Sequence, residues 1–508
     1  MSSSKQKPKP GHITAPPVAD VVLAILTQAP TPAPNPPSKL ADPFLVTFTD
    51  PDPTNPKDWL SRLKWSVTDV LSATGFNRIM VSTIMAPALS TIAIELHMTH
   101  IESVMALSIY LLATAFGPLV IGPLSEVYGR QKILHASNVW FLAWNVVCGF
   151  AKTKEVLIAA RFLAGFGASS IYALAGGVLG DVWRPEQRGR SLGVYLLIPL
   201  LGAAVGPIIG GFMAGRTTWR WMFWSTSIFQ AVMIAVSFTA FKETYAPVIL
   251  ARRAARLRKI TGDTRYYTEH ERMVADRSIL SVLGNALTRP LRLLFFHPII
   301  IIASVNLAFD YGILYIVLTS FAELWTNYYH VSVEMSGLHY LAVALGELAG
   351  AQIGAPMIDR FYLRKKAQHP DGDLAPEYRL PVIFPGALLA PVGLFIYGWT
   401  AEHRVHWMAV DIGVFIAMFG SQMSGMAWQA YIMDAYSDHT SSARAATQFS
   451  ASLTAFLFPL FVPTMYRAMG YGWGNTAMAF ASLALAVPGP IVLWYYGAKL
   501  RARARSTY

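Results

Sequence analysis

Long, uninterrupted apolar blocks constrain this chain more than any other feature. Segments such as Ile299–Ser320 and Ile412–Ala430 carry at most one charge each. Each runs for about 20 residues, the length of helix that crosses a hydrocarbon core of about 30 Å. Composition removes the alternative of several soluble domains. Over 508 residues, 54% are apolar and only 14% charged, whereas soluble domains carry about a quarter charged. Hydrocarbon offers backbone groups no water, so each block must satisfy its own amides as a helix. The expected class is therefore an all-α polytopic membrane protein.

Twelve such blocks are expected, at 64–94, 101–122, 133–151, 155–180, 191–213, 219–241, 297–324, 335–358, 381–399, 407–430, 443–466 and 474–498. They divide the chain into a tail (1–62), a six-helix bundle (63–241), a polar central loop (242–296), a second six-helix bundle (297–498) and a short basic end (499–508). The tail is rich in Pro and polar residues, and its longest apolar run, Val21–Leu26, is too short for a signal segment or a span. Disorder is expected there.

Charge placement sets the orientation. Of 41 Lys and Arg, only Lys152, Lys154, Arg216, Arg220, Arg404 and Arg467 fall in the loops on one side, and two more, Arg78 and Arg161, lie well inside spans. The rest lie on the side that carries both termini. Basic residues collect in the cytoplasm, so both ends are expected there. The same asymmetry explains the net charge of +12 without nucleic acid. The central loop, with Arg252, Arg253, Arg256, Arg258 and Lys259, reads as an orienting linker with amphipathic helical turns, or as a surface for anionic lipid heads. The lone Cys148 allows no intrachain disulfide and suggests no metal site. No nucleotide-binding loop, Glu-x-x-His pattern or usable Ser/His/Asp grouping occurs, so neither an enzyme nor a cofactor is expected.

The two halves look duplicated, as in many secondary carriers. Gly122-Pro-Leu-Ser-Glu126-Val-Tyr-Gly129-Arg130-Gln-Lys132 follows the second span, and Gly354 to Asp359 and Arg360 follow the eighth. The first segment resembles the signature of the major facilitator superfamily, with Glu126 where that family usually has Asp. Arg161-Phe-Leu-Ala-Gly165 resembles its fourth-span motif. Gly202, Gly206, Pro207, Gly210 and Gly211 resemble its antiporter motif in span five; glycines at helical spacing admit a close neighbour. Lys242-Glu-Thr-Tyr-Ala-Pro, Tyr431-Ile-Met-Asp-Ala-Tyr and Ser442-Ala-Arg-Ala-Ala resemble the fungal twelve-span drug:proton antiporter branch, and the sugar-carrier pattern after span six is absent. The resemblance covers about residues 60–498. It implies a monomeric multi-pass carrier, in the plasma membrane by preference over the vacuole. It also implies a conformational latch made by Glu126, Arg130, Asp181, Arg188, Arg190, Asp359 and Arg360.

Charged side chains inside a span cost roughly 2.5–3.5 kcal/mol on insertion scales and tend to be functional. Arg78, Asp310 and Glu347 fall near the middles of their spans. One acid is expected to pair with Arg78 while the other exchanges a proton, with Glu347 preferred as carrier. A fixed polar latch, or a quiet network of Asp310 with Asn306 and Tyr311, are the alternatives. Arg161 is a further coupling candidate unless it snorkels outward. Tyr110, Tyr172, Tyr195, Asn306, Tyr311, Tyr315, Trp428 and Tyr431 are candidates for lining a substrate cavity. The expected function is proton-driven efflux of a hydrophobic or amphipathic small molecule, a drug, toxin or secondary metabolite. A nutrient importer, and a membrane receptor that does not transport, are the competing readings.

Overall fold

The computed structural model describes residues 42–274, 279–368, 375–436 and 440–505. Among them, eleven helical stretches are long and apolar enough to cross a membrane. The last, Ser442–Ala502, is interrupted at Gly470, whose φ of 73° and ψ of 175° no helix contains, so it makes two crossings. The twelve spans are Ser61–Glu95, His100–Tyr128, Arg130–Phe150, Lys154–Val182, Pro185–Arg216, Arg220–Ala240, Pro298–Glu323, Val333–Gln368, Ile383–Glu402, Trp407–Ala435, 440–469 and 471–502. An even number returns both ends to one face, called here the basic face.

Local chemistry sets the ends. Thr99 caps span two through a reciprocal bond with Glu102, which satisfies two amides that a helix start otherwise leaves orphaned. Span four breaks at Ser169 into Lys154–Ala168 and Ser170–Val182. That break proves central below.

The halves meet along two seams, span five against span eight and span two against span eleven. Span-five glycines serve both span one and this interface. A Cβ at Gly202 would lie 2.6 Å from the Phe76 carbonyl oxygen, and one at Gly206 2.7 Å from that of Met80. Gly210 continues the row against Ile84, so the expected glycine seam is real and its partner is span one. Gly211 instead faces span eight, 2.8 Å from the Val333 oxygen, and Gly337 of span eight faces the Pro207 oxygen at 2.8 Å.

The tail departs from expectation over 42–60. Val46 donates to the Tyr267 carbonyl at 2.9 Å and Tyr267 returns a bond to Phe44 at 3.0 Å. Buried Asp52 binds Arg253 at 2.6 Å, and Asp58 binds Arg184 at 2.7 Å. Thr54 and Arg253 hold the Asp52 carboxyl well below the usual carboxylate range despite its burial. This strap therefore docks on the central helix Ala246–Thr261. Residues 1–41 lie outside the described residues.

Candidate functional site

Between the halves, tyrosines converge. Tyr172 of span four comes close to Tyr311 of span seven, whose ring stands 5.3 Å from that of Tyr315. Tyr315 reaches Ser82 of span one at 3.4 Å. Tyr195 of span five is buried within electrostatic reach of Arg444 of span eleven. These four expected lining residues thus sit where both halves contribute. The others do not. Tyr110 donates to the Arg78 carbonyl at 3.0 Å and lies under the Arg161 guanidinium at 4.6 Å, inside the N-terminal half. Asn306, Trp428 and Tyr431 are packed in the interior of the C-terminal half. Sequence supplies helical spacing but not which face looks inward.

The expected pairing of Arg78 with an acid is overturned. Arg78, 1% exposed, donates to the carbonyls of Gly167 at 2.6 Å and Ala168 at 3.1 Å, to Ser170 Oγ at 2.5 Å and to Asn138. Its guanidinium also covers the Phe141 ring at 5.2 Å. The carbonyls belong to the last turn of Lys154–Ala168, where orphaned oxygens and the helix dipole attract a cation. Arg161 is used the same way. It is fully buried and donates to Val81, Ala106 and Leu107 carbonyls at 2.9, 3.2 and 3.2 Å. It neither snorkels nor meets a carboxylate. Both arginines are internal staples.

Asp310 and Glu347 are left without a cation. Neither has an ion pair or hydrogen bond to any described residue, and Asn306 spends its amide on the Ile302 carbonyl at 2.9 Å instead of on Asp310. Glu347 is 7% exposed and lies within electrostatic reach of Tyr315. Asp310 adjoins Tyr311 in sequence on span seven, and Glu347 of span eight approaches Tyr315, one turn further along the same helix.

At the basic face charged groups cluster where the latch is expected, with different members. Arg130 reaches Asp181 at 3.5 Å and Ser125 Oγ at 2.5 Å. Its backbone amide is bound by Glu243 at 2.9 Å, which also accepts from Thr244 and Tyr245. Glu126 is exposed with no partner among the described residues, so the acid that counts is Glu243, outside the loop motif. Its carboxylate sits at the N-terminus of span three, where negative charge is favoured. The only hint in the sequence was the Lys242-Glu-Thr-Tyr segment. Side chains of Arg188 and Arg190 lie outside the described residues. In the second half, Arg379 performs the bridging, to Asp434 and to Asp359 at 3.9 Å. Arg360 is exposed and makes no ion pair among the described residues.

Gly129 is required by the geometry of the first cluster. Its φ of 97° and ψ of 154° suit only glycine, and a Cβ would run into the Glu243 carboxylate. Gly129→Ala is expected to lower stability by about 1–3 kcal/mol, read as a lower Tm. An unchanged Tm would contradict the assignment.

Comparisons with known proteins follow the same lines. The family description Major Facilitator Superfamily matches residues 71–459. An Aspergillus flavus protein named "Probable efflux pump mfs2" is 51% identical over 84% of this chain and 100% of its own length. "Efflux pump vrtL" of Penicillium aethiopicum is 40% identical over 91% of this chain and 92% of its own length. Among solved structures, the partially occluded inward-open xylose transporter XylE of E. coli superposes with a TM-score of 0.61 at 15% identity. That alignment covers 86% of this chain and 98% of the transporter.

Proposed function

The chain belongs to the major facilitator superfamily, and from that premise we propose that it expels a hydrophobic or amphipathic small molecule in exchange for protons. It is a multi-pass membrane transporter. The observation that carries it is the pair Asp310 and Glu347, two acids at mid-membrane that no cation obliges to stay ionised. Proton binding and cargo binding then compete around the tyrosines between the halves. Rocking of the halves about the Gly211–Gly337 seam exposes that region to each side in turn. Names of two relatives favour export over import. The basic face lies in the cytosol with both termini, the membrane is the plasma membrane, and the transporter works as a monomer.

The test is expression in cells lacking their own pumps, with accumulation of a compound panel measured with and without a proton-collapsing agent. At least one compound is expected to accumulate less in expressing cells, and the difference to vanish when the gradient is collapsed. Export that survives collapse would refute proton coupling.

A further inference from the structure

The interior of the C-terminal half holds a line of polar atoms that this mechanism leaves unused. On span ten, Ser421, Ser424, Trp428 and Tyr431 follow one another at three- and four-residue intervals, and so share one helix face. Their hydroxyl oxygens and the Trp428 indole nitrogen are all buried with no hydrogen-bond partner in the protein. On span seven, Asn306 lies one turn from Asp310, and its amide oxygen is likewise unpartnered. Spans seven and ten run antiparallel, and Asn306 and Trp428 meet at one depth. A Cβ added to Gly489 of span twelve would lie 3.1 Å from the Asn306 amide nitrogen and 3.5 Å from the Trp428 ring.

Nearer the basic face, Tyr431 comes within electrostatic reach of Glu377 and Arg501. That pair bridges at 2.8 Å and leaves Glu377 Oε1 and Arg501 Nε unpartnered. No charge interrupts the line. Span seven carries only Asp310 between His297 and Glu323, span ten nothing between Asp411 and Asp434, and span twelve nothing between Arg467 and Lys499. On the other neighbours of span seven, Glu347 of span eight is at mid-depth, and span eleven is uncharged between Arg444 and Arg467.

Folded proteins leave few buried polar atoms unpaired, and polar interiors of this kind hold bound water. We infer that this line is a hydrated proton path from Asp310 to the basic face, inside the C-terminal half and apart from the tyrosine-lined region between the halves. It rests on the proton-coupled reading above. The Asp310 carboxyl gives its proton to water beside Ser424. The Ser424 and Tyr431 hydroxyls each accept one proton and release another, returning to their starting state. Asn306 and Trp428 hold the water in line by hydrogen bonds. One proton leaves beside Glu377 and Arg501, and Asp310 is left as the carboxylate.

The test needs no transported compound. Infrared spectra of purified protein transferred into heavy water follow hydrogen–deuterium exchange at the protonated carboxyl, with the Asp310 band identified by its loss in Asp310→Asn. Tyr431→Phe and Asn306→Leu are expected to slow exchange at Asp310 roughly tenfold or more while exchange at Glu347 keeps its wild-type rate. Tyr431→Phe preserves ring volume and so keeps the test open if the other variant does not fold. Wild-type exchange at Asp310 in Tyr431→Phe, or equal slowing at both acids, would overturn the path. Absence of any protonated Asp310 band in the wild type would instead count against Asp310 as a proton carrier, and with it the reading on which the path depends.

Discussion

With Glu347 replaced by Gln, an imposed pH gradient is expected to stop driving cargo movement while the protein still folds and reaches the membrane. Glutamine keeps the size and polarity of the side chain and removes its titratable proton. Glu347 has no cation partner to lose, so the change strands no buried charge of opposite sign. The effect is large because the driving force is large. A gradient of two pH units stores about 2.7 kcal/mol per proton, enough for roughly a hundredfold concentration ratio at one-for-one exchange. In Glu347→Gln vesicles the ratio should fall to about unity, the value for uncoupled exchange. Gradient-driven accumulation at the wild-type level would remove Glu347 from the mechanism.

Arg78→Leu is expected to have the opposite signature, a loss of folded protein. The substitution leaves the Gly167 and Ala168 carbonyls, Ser170 and Asn138 facing a leucine at the break in span four. Breaking a buried charge-assisted cluster by removing one member costs about 3–5 kcal/mol. Arg78→Lys should recover little, because a single ammonium cannot reach acceptors spread across a planar fork. Yield of monodisperse protein and its Tm are the readouts. A decisive comparison is the double variant Arg78→Leu with Glu347→Gln. Were the two side chains an ion pair, neutralising the acid would restore stability. No restoration is expected, since Arg78 is satisfied by backbone oxygens.

Much of the architecture could be read from the chain. Block length and the one-sided placement of Lys and Arg depend on the bilayer, which acts on every span alike, so twelve crossings and two halves followed. Arg78 was misassigned because the apolar run over 155–180 looks continuous. Only the folded chain reveals the break at Ser169, where carbonyls collect to receive a cation. Glu243 was missed because a motif read along the chain favours the acid inside it, Glu126, over one that returns to Arg130 from beyond span six. Asn306, Trp428 and Tyr431 look the same in sequence as Tyr311 and Tyr315, since helical phase relative to the lumen is set by packing. The strap at 42–60 was hidden by its proline content, which resembles that of a disordered tail until Asp52 meets Arg253.

The most direct measurement is proton release from purified transporter in weakly buffered solution when a compound chosen from the export panel is added. If cargo and proton compete at the unpaired acids, linkage requires binding of one to expel the other. The wild type should release about one proton per transporter, and Glu347→Gln markedly less. Saturable binding with no proton release from the wild type would contradict the account.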